Sequence, residues 1–125
     1  MLINLSNHPY LFWGEKQKAA AETYGKCIDL SFPLIDPQGD EQYIDNLAGE
    51  YFREIIRYQK ESDEEIVVHL MGEMTFVFSL LEKLKNEGIR CIASTTERIS
   101  RFSDEGLKET QFVFVRFRNY FIMTK

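Results

Sequence analysis

The chain has 125 residues, a net charge of −5, and 44% hydrophobic and 14% aromatic side chains. That length suits one domain over residues 1–125 with a real core. The acidic balance excludes the broad basic footprint that duplex nucleic acid requires, but not a small nucleotide, since a helix N-terminus holds phosphate without net positive charge.

Leu2 to Leu5 reads as a short first strand. It is too short for a secretory leader and lacks a basic lead, and no apolar run in the chain reaches membrane-span length. A cytoplasmic protein with no membrane contact is expected. Ser6-Asn7-His8-Pro9 is a turn. Glu15 to Tyr24 is an Ala-rich helix closed by Gly25. Phe12 and Trp13 just before it read as a packing anchor for the helix start.

Cys27 to Leu30 is a second strand, followed by a loop punctuated by Pro33 and Pro37. Ile44, Leu47, Ala48, Tyr51, Phe52, Ile55 and Ile56 then repeat at the spacing of one helix face. Asp36 or Asp40 is the expected cap. Glu61 to Glu65 is a solvated acidic connection.

Ile66 to Leu70 is a third strand, apolar on both faces, as in the centre of a parallel sheet. Met71 to Thr75 is a turn into a helix over Phe76 to Asn86, ended by Gly88. Ile89 to Ala93 is the fourth strand, with Ser94 to Arg98 as the polar loop after it. Glu97 to Phe102 looks extended, Asp104-Glu105-Gly106 looks like a turn, and Gln111 to Arg118 is strand-like. Cys27 and Cys91 form no CxxC pair and have no His at metal spacing, so buried free thiols are expected. No metal or cofactor motif appears, and neither a GxSxG elbow nor an HExxH pair is present.

Strands alternating with helices, then a hairpin, predict an α/β, three-layer, Rossmann-like fold. Its sheet is mostly parallel and five-stranded, with a C-terminal antiparallel hairpin. Right-handed crossovers give the order two-one-three-four-five. The order reverses between strands one and three, where open α/β sheets bind ligands at their carboxyl ends. Three polar segments converge there: Ser6-Asn7-His8, Met71 to Thr75 and Ser94 to Arg98.

Each candidate has a chemical reason. Gly72 gives the strand-to-helix turn freedom and lets a ligand near the backbone, and Thr75 caps the helix or donates its hydroxyl. Glu73 suits a ribose hydroxyl, an adenine amino group or a base role better than a phosphate, or is simply a helix-start acid. His8 holds phosphate or moves a proton near neutral pH, whereas His69, inside an apolar strand, reads as a hydrogen-bonded core residue. Ser94, Thr95 and Thr96 offer hydroxyls beside Arg98, which grips phosphate in two places. Strand and loop propensity accounts for the same residues equally well.

The opening Leu-Ile-Asn-Leu-Ser-Asn-His-Pro, the His-Leu-Met-Gly-Glu-Met-Thr after strand three and Cys-Ile-Ala-Ser-Thr-Thr-Glu-Arg after strand four resemble a known group. They look like the small CRISPR-associated proteins related to CARF domains, of the ring nuclease type. The resemblance implies a homodimer that binds a cyclic oligoadenylate and cuts it without metal. A ribose 2′-hydroxyl would attack the adjacent phosphate in line. Ser6, Asn7, Thr95 and Thr96 would bind ribose and phosphate, and Arg98 would stabilise the developing charge. His8 or Glu73 would assist proton transfer. CARF domains often carry a Thr-Gly-Gly-Thr-Lys-like turn. Here Met71, Gly72, Glu73, Met74 and Thr75 stand there, with one Gly and no Lys, so this turn is expected to contact ribose or base, and the segment Ser94 to Arg98 with the loop after strand one the phosphate. Two alternatives stay open: a sensor or sink that binds without cutting, and an α/β interaction protein whose aromatic last strand meets a partner.

Overall fold

The computed structural model describes residues 1–122. Strand β1 (Leu2–Leu5) leads through a 3₁₀ turn (Tyr10–Phe12) into helix α1 (Glu15–Glu22) and strand β2 (Cys27–Asp29). Helix α2 (Glu41–Glu61), strand β3 (Val67–Leu70), helix α3 (Met74–Asn86) and strands β4 (Arg90–Phe102) and β5 (Lys108–Asn119) follow. The chain is thus α/β, with a mixed sheet in the order β2-β1-β3-β4-β5. The first four strands are parallel, and β5 runs antiparallel to β4. Order and hairpin agree with the sequence expectation. Among the described residues no helix is long and apolar enough to cross a membrane.

Side chains alternate across the strands, and so the sheet has two cores. Ile3, Leu5, Val68, Leu70 and Cys91 point to one face, where α2 contributes Ile44, Ala48 and Ile55, and α3 contributes Phe76, Leu80 and Leu84. Leu2, Val67, Ile92 and Phe117 point to the other, against Trp13 and Ala21. Asp40, not Asp36, caps α2, accepting from the Tyr43 N–H at 2.9 Å. Asp36 instead closes its own turn through the Gln38 N–H, also at 2.9 Å.

One boundary differs in a way that matters. The predicted fourth strand stops at Ala93 with a loop from Ser94 to Arg98, but β4 runs unbroken from Arg90 to Phe102. Only Arg90 to Ile92 pair with β3, and everything beyond pairs with β5 alone. The hairpin partner satisfies the backbone that a loop would have left to water. The result is a two-stranded arm reaching ~30 Å past the parallel sheet at ~3.3 Å per residue. Its tip turns at Gly106, whose φ of +80° needs a residue without Cβ.

A bulge decides what the arm presents. Thr95 pairs with Arg116, but Thr96 pairs with Phe114, so Val115 is the extra residue. The Thr95 hydroxyl closes the bulge, accepting from the Arg116 N–H at 3.2 Å and donating to the Arg116 carbonyl at 3.1 Å. The extra residue shifts the alternation by one. Without it Val115 and Val113 would share the face of Phe117. With it Phe114 does, its ring 5.0 Å from that of Phe117.

Candidate functional site

On the α1 face the strands change character along their length. Leu2, Val67 and Ile92 are apolar, and then Asn4, Ser6, His69 and Ser94 follow towards the carboxyl ends. The register sets Asn4 beside His69 and His69 beside Ile92, with Ser94 one step further along β4. These polar side chains form one network beneath an open cleft of about 680 Å³. The stretch from Phe12 to Gln17 makes one wall, and Gln111 to Phe114 on the arm makes the other. His8, His69, Met71, Ser94 and Thr96 complete the lining.

The network fixes its own proton positions. The Asn4 side-chain amide donates to the His8 carbonyl at 2.9 Å and to Asp29 Oδ1 at 2.8 Å. Its Oδ1 is therefore the acceptor, taking the Ser6 hydroxyl at 2.8 Å and facing His69 Nδ1 at 2.9 Å. His69 accordingly carries its proton on Nδ1, and the Nε2 lone pair accepts from the Ser94 hydroxyl at 2.7 Å. Gln17 Nε2 donates to Ser94 Oγ at 3.1 Å from the opposite side. The backbone N–H of Ser94 donates to the Met71 thioether sulfur at 3.3 Å, a weak acceptor.

His69 is 2% exposed. Trp13 and Phe117 present their rings to it at 5.1 and 5.5 Å. Burial, with a smaller contribution from His8, lowers its pKa from 6.5 to about 4. At neutral pH it is a neutral imidazole whose lone pair is taken by the Ser94 hydroxyl. Trp13 holds the ceiling of this chamber by donating its indole N–H to the His8 carbonyl at 2.9 Å. The two cysteines play no part. Both are free thiols, pushed up by burial to about 11 for Cys27 and about 12 for Cys91.

The structure divides the sequence candidates between two faces. His8, Met71, Ser94 and Thr96 come together at the cleft, and Ser6 lies buried just under it. Asn7 is exposed and lies outside the lining. Arg98 is out on the arm, paired with Phe112, and is not in the lining either. Thr95 points to the opposite face and serves the bulge. Gly72 is small because a Cβ there would sit 2.2 Å from the Phe32 ring, so it makes room for packing. Glu73 caps α3, accepting from the Thr75 and Phe76 N–H groups at 2.9 Å each. Those bonds and the Thr75 hydroxyl hold its carboxyl below the usual range. Met74 and Thr75 line a separate groove between the starts of α2 and α3.

Sequence reasoning did not single out Asn4, Gln17 or Asp29, and it placed His69 in the core without its partners. A polar Asn and a His in register-matched positions of two apolar strands was the available signal. Among the described residues no cluster of three or more His, Cys, Asp or Glu side chains is set to hold a metal ion.

No curated protein and no solved structure matches the chain. A family model does match, over residues 1–118. With nearly the whole chain covered, the protein belongs to the uncharacterized protein MJ1673 family.

Proposed function

We propose that the cleft binds a nucleotide-type messenger of the cyclic oligoadenylate class and cleaves it without metal, in a Rossmann-like, CRISPR-associated protein acting as a homodimer. One observation carries the reading: a cleft at the carboxyl ends of β1, β3 and β4 combines exposed aromatic walls with a polar floor. Phe12 is 78% and Phe112 69% exposed, an unusual state for large apolar rings and one suited to stacking on bases. The N-terminus of α1 opens on the same cleft with Gly14 as cap and no side chain bonded to its first N–H groups. That end, with Lys16, suits phosphate. His8, exposed at the rim, suits proton transfer to or from a ribose hydroxyl. Thr96 supplies a further hydroxyl. Attack by the 2′-hydroxyl on the neighbouring phosphorus expels the 5′-oxygen, which takes up a proton, and leaves a 2′,3′-cyclic phosphate.

The test is incubation with radiolabelled cyclic oligoadenylates of several ring sizes. A linear product ending in cyclic phosphate supports the full reading. Binding without product supports a sensor or sink, and no binding at any ring size overturns the nucleotide reading. Lys16→Ala is expected to weaken binding about tenfold, the loss of one charge-assisted contact. His8→Ala is expected to slow cleavage with binding retained.

A further inference from the structure

We infer that Ser94 is a nucleophile, activated by His69 and positioned through Asn4, that takes the acyl group of a small carboxylic ester with an apolar or aromatic body. This competence goes beyond the nucleotide reading and does not depend on it.

The hydrogen bonds run in the order that a nucleophilic serine requires. A catalytic serine needs a base on its proton, a base needs a group fixing its tautomer, and the developing oxyanion needs donors. All three are present. Ser94 Oγ–H points at His69 Nε2 at 2.7 Å. Asn4 Oδ1, itself locked by Asp29 and the His8 carbonyl, holds the other ring nitrogen as N–H. Gln17 Nε2 stands 3.1 Å from Oγ, and the Ser94 N–H is given to a thioether. Both donors adjoin the attacking oxygen, and a carbonyl oxygen is a far better acceptor than sulfur. Ser94 and His69 both line the cleft, so a ligand reaches the pair, and Trp13 and Phe117 pack against the His69 ring.

The chemistry balances without any further reagent than water. Ser94 Oγ bonds to the carbonyl carbon and its proton passes to His69 Nε2. The carbonyl oxygen becomes negative against Gln17 Nε2 and the Ser94 N–H. Collapse breaks the bond to the alkoxy oxygen, which leaves as the alcohol with the proton from His69. Water then attacks the acyl-serine, giving its proton to His69. Collapse releases the carboxylic acid, and the same proton returns to Oγ. The aromatic walls, Phe12, Trp13, Phe112 and Phe114, match an apolar or aromatic ester body.

The probe is a fluorophosphonate. Its phosphorus bonds to a serine oxygen, fluoride leaves, and the serine proton goes to the base. The whole chain is labelled, and the adduct is located by peptide mass mapping, with p-nitrophenyl acetate hydrolysis followed in parallel. The expected result is one adduct, on Ser94, absent in Ser94→Ala. Labelling slows at least a hundredfold in His69→Gln and about tenfold or more in Gln17→Ala. No adduct, an adduct elsewhere, or an unchanged rate in His69→Gln overturns the inference. Should His69→Gln fail to fold by circular dichroism, the surface variant Gln17→Ala decides, and an unchanged labelling rate there overturns it. Because the probe contains no nucleotide, a failure here leaves the oligoadenylate reading standing, and oligoadenylate binding cannot rescue a missing adduct.

Discussion

The two faces of the sheet are built from the same strands, one residue out of phase, yet they do different work. The face towards α2 and α3 is apolar from end to end: Ile3 and Leu5, Val68 and Leu70, Cys91. The face towards α1 begins alike, with Leu2, Val67 and Ile92, and then turns polar at Asn4, Ser6, His69 and Ser94. Most of the buried apolar side chains lie on the first face. The second gives up apolar contact for a hydrogen-bonded polar chamber that opens on the cleft. Polarity changing along one face of a buried sheet, with the opposite face unchanged, is thus a better pointer to function than any single residue here.

The largest effect that would test this contrast is on the apolar face. Phe76 is fully buried, with the Phe32 and Tyr51 rings at 5.2 and 5.5 Å. Phe76→Ala is expected to lower unfolding stability by about 3–5 kcal/mol in urea melts, from lost transfer energy plus the cavity left behind. A loss below about 1 kcal/mol would mean that this face does not carry the fold.

Next comes pH, which should act through the polar face. His69 has a folded pKa of about 4 against 6.5 for the free group. The unfolded chain therefore binds the proton first as pH falls. Stability contributed by the neutral imidazole is complete above pH 6.5 and is lost progressively down to about pH 4, by about 3 kcal/mol in all. Urea melts from pH 7.5 to 4 check this slope. In His69→Gln the slope over that window should flatten, and an undiminished slope would assign it to other groups.

A third, smaller effect distinguishes packing from ligand approach at the turn after β3. If Gly72 exists to admit Phe32, then Gly72→Ala forces that ring aside and costs about 1–3 kcal/mol. Cleft chemistry should survive, since Gly72 does not line the cleft. If instead activity falls while stability holds, the turn belongs to the site.

Much of the fold was legible in the sequence because it rests on periodicity. The helix face of α2, the apolar run of β3 and the chain order of elements all follow from local pattern. The site was less legible because it is assembled by register. Ser94 and His69 are 25 residues apart, and Asn4 and His69 are 65 apart. Each looks ordinary alone: a Ser in a hydroxyl run, a His in an apolar strand, an Asn in a first strand. Ser94-Thr95-Thr96 also suits loop and strand equally, and only the β5 partner decides for strand. The turn from Gly72 to Thr75 drew attention for its composition, but its residues answer to Phe32 and to the cap of α3.

The smallest expected effect lies on the arm and asks how the two faces are kept distinct beyond the parallel sheet. There the alternation set by one bulge chooses which residues join the cleft wall. Thr95 closes that bulge through both bonds to Arg116. Thr95→Val keeps the β-branched shape and removes the bonds. The global cost should be no more than about 1 kcal/mol, because the site is exposed and the hydroxyl bonds are individually weak. The local consequence should be larger than that figure implies. If the strands slip to the unbulged register, Val115 replaces Phe114 beside Phe117 and the aromatic wall is lost. Amide hydrogen exchange should then rise over residues 108–116 while β1 and β3 stay protected. Fluorophosphonate labelling of Ser94 should fall only slightly, since Asn4, His69 and Gln17 are untouched. Oligoadenylate binding should fall more, since it draws on the wall. Equal loss of both would mean that the bulge supports the chamber itself, and that the arm and the α1 face form a single unit.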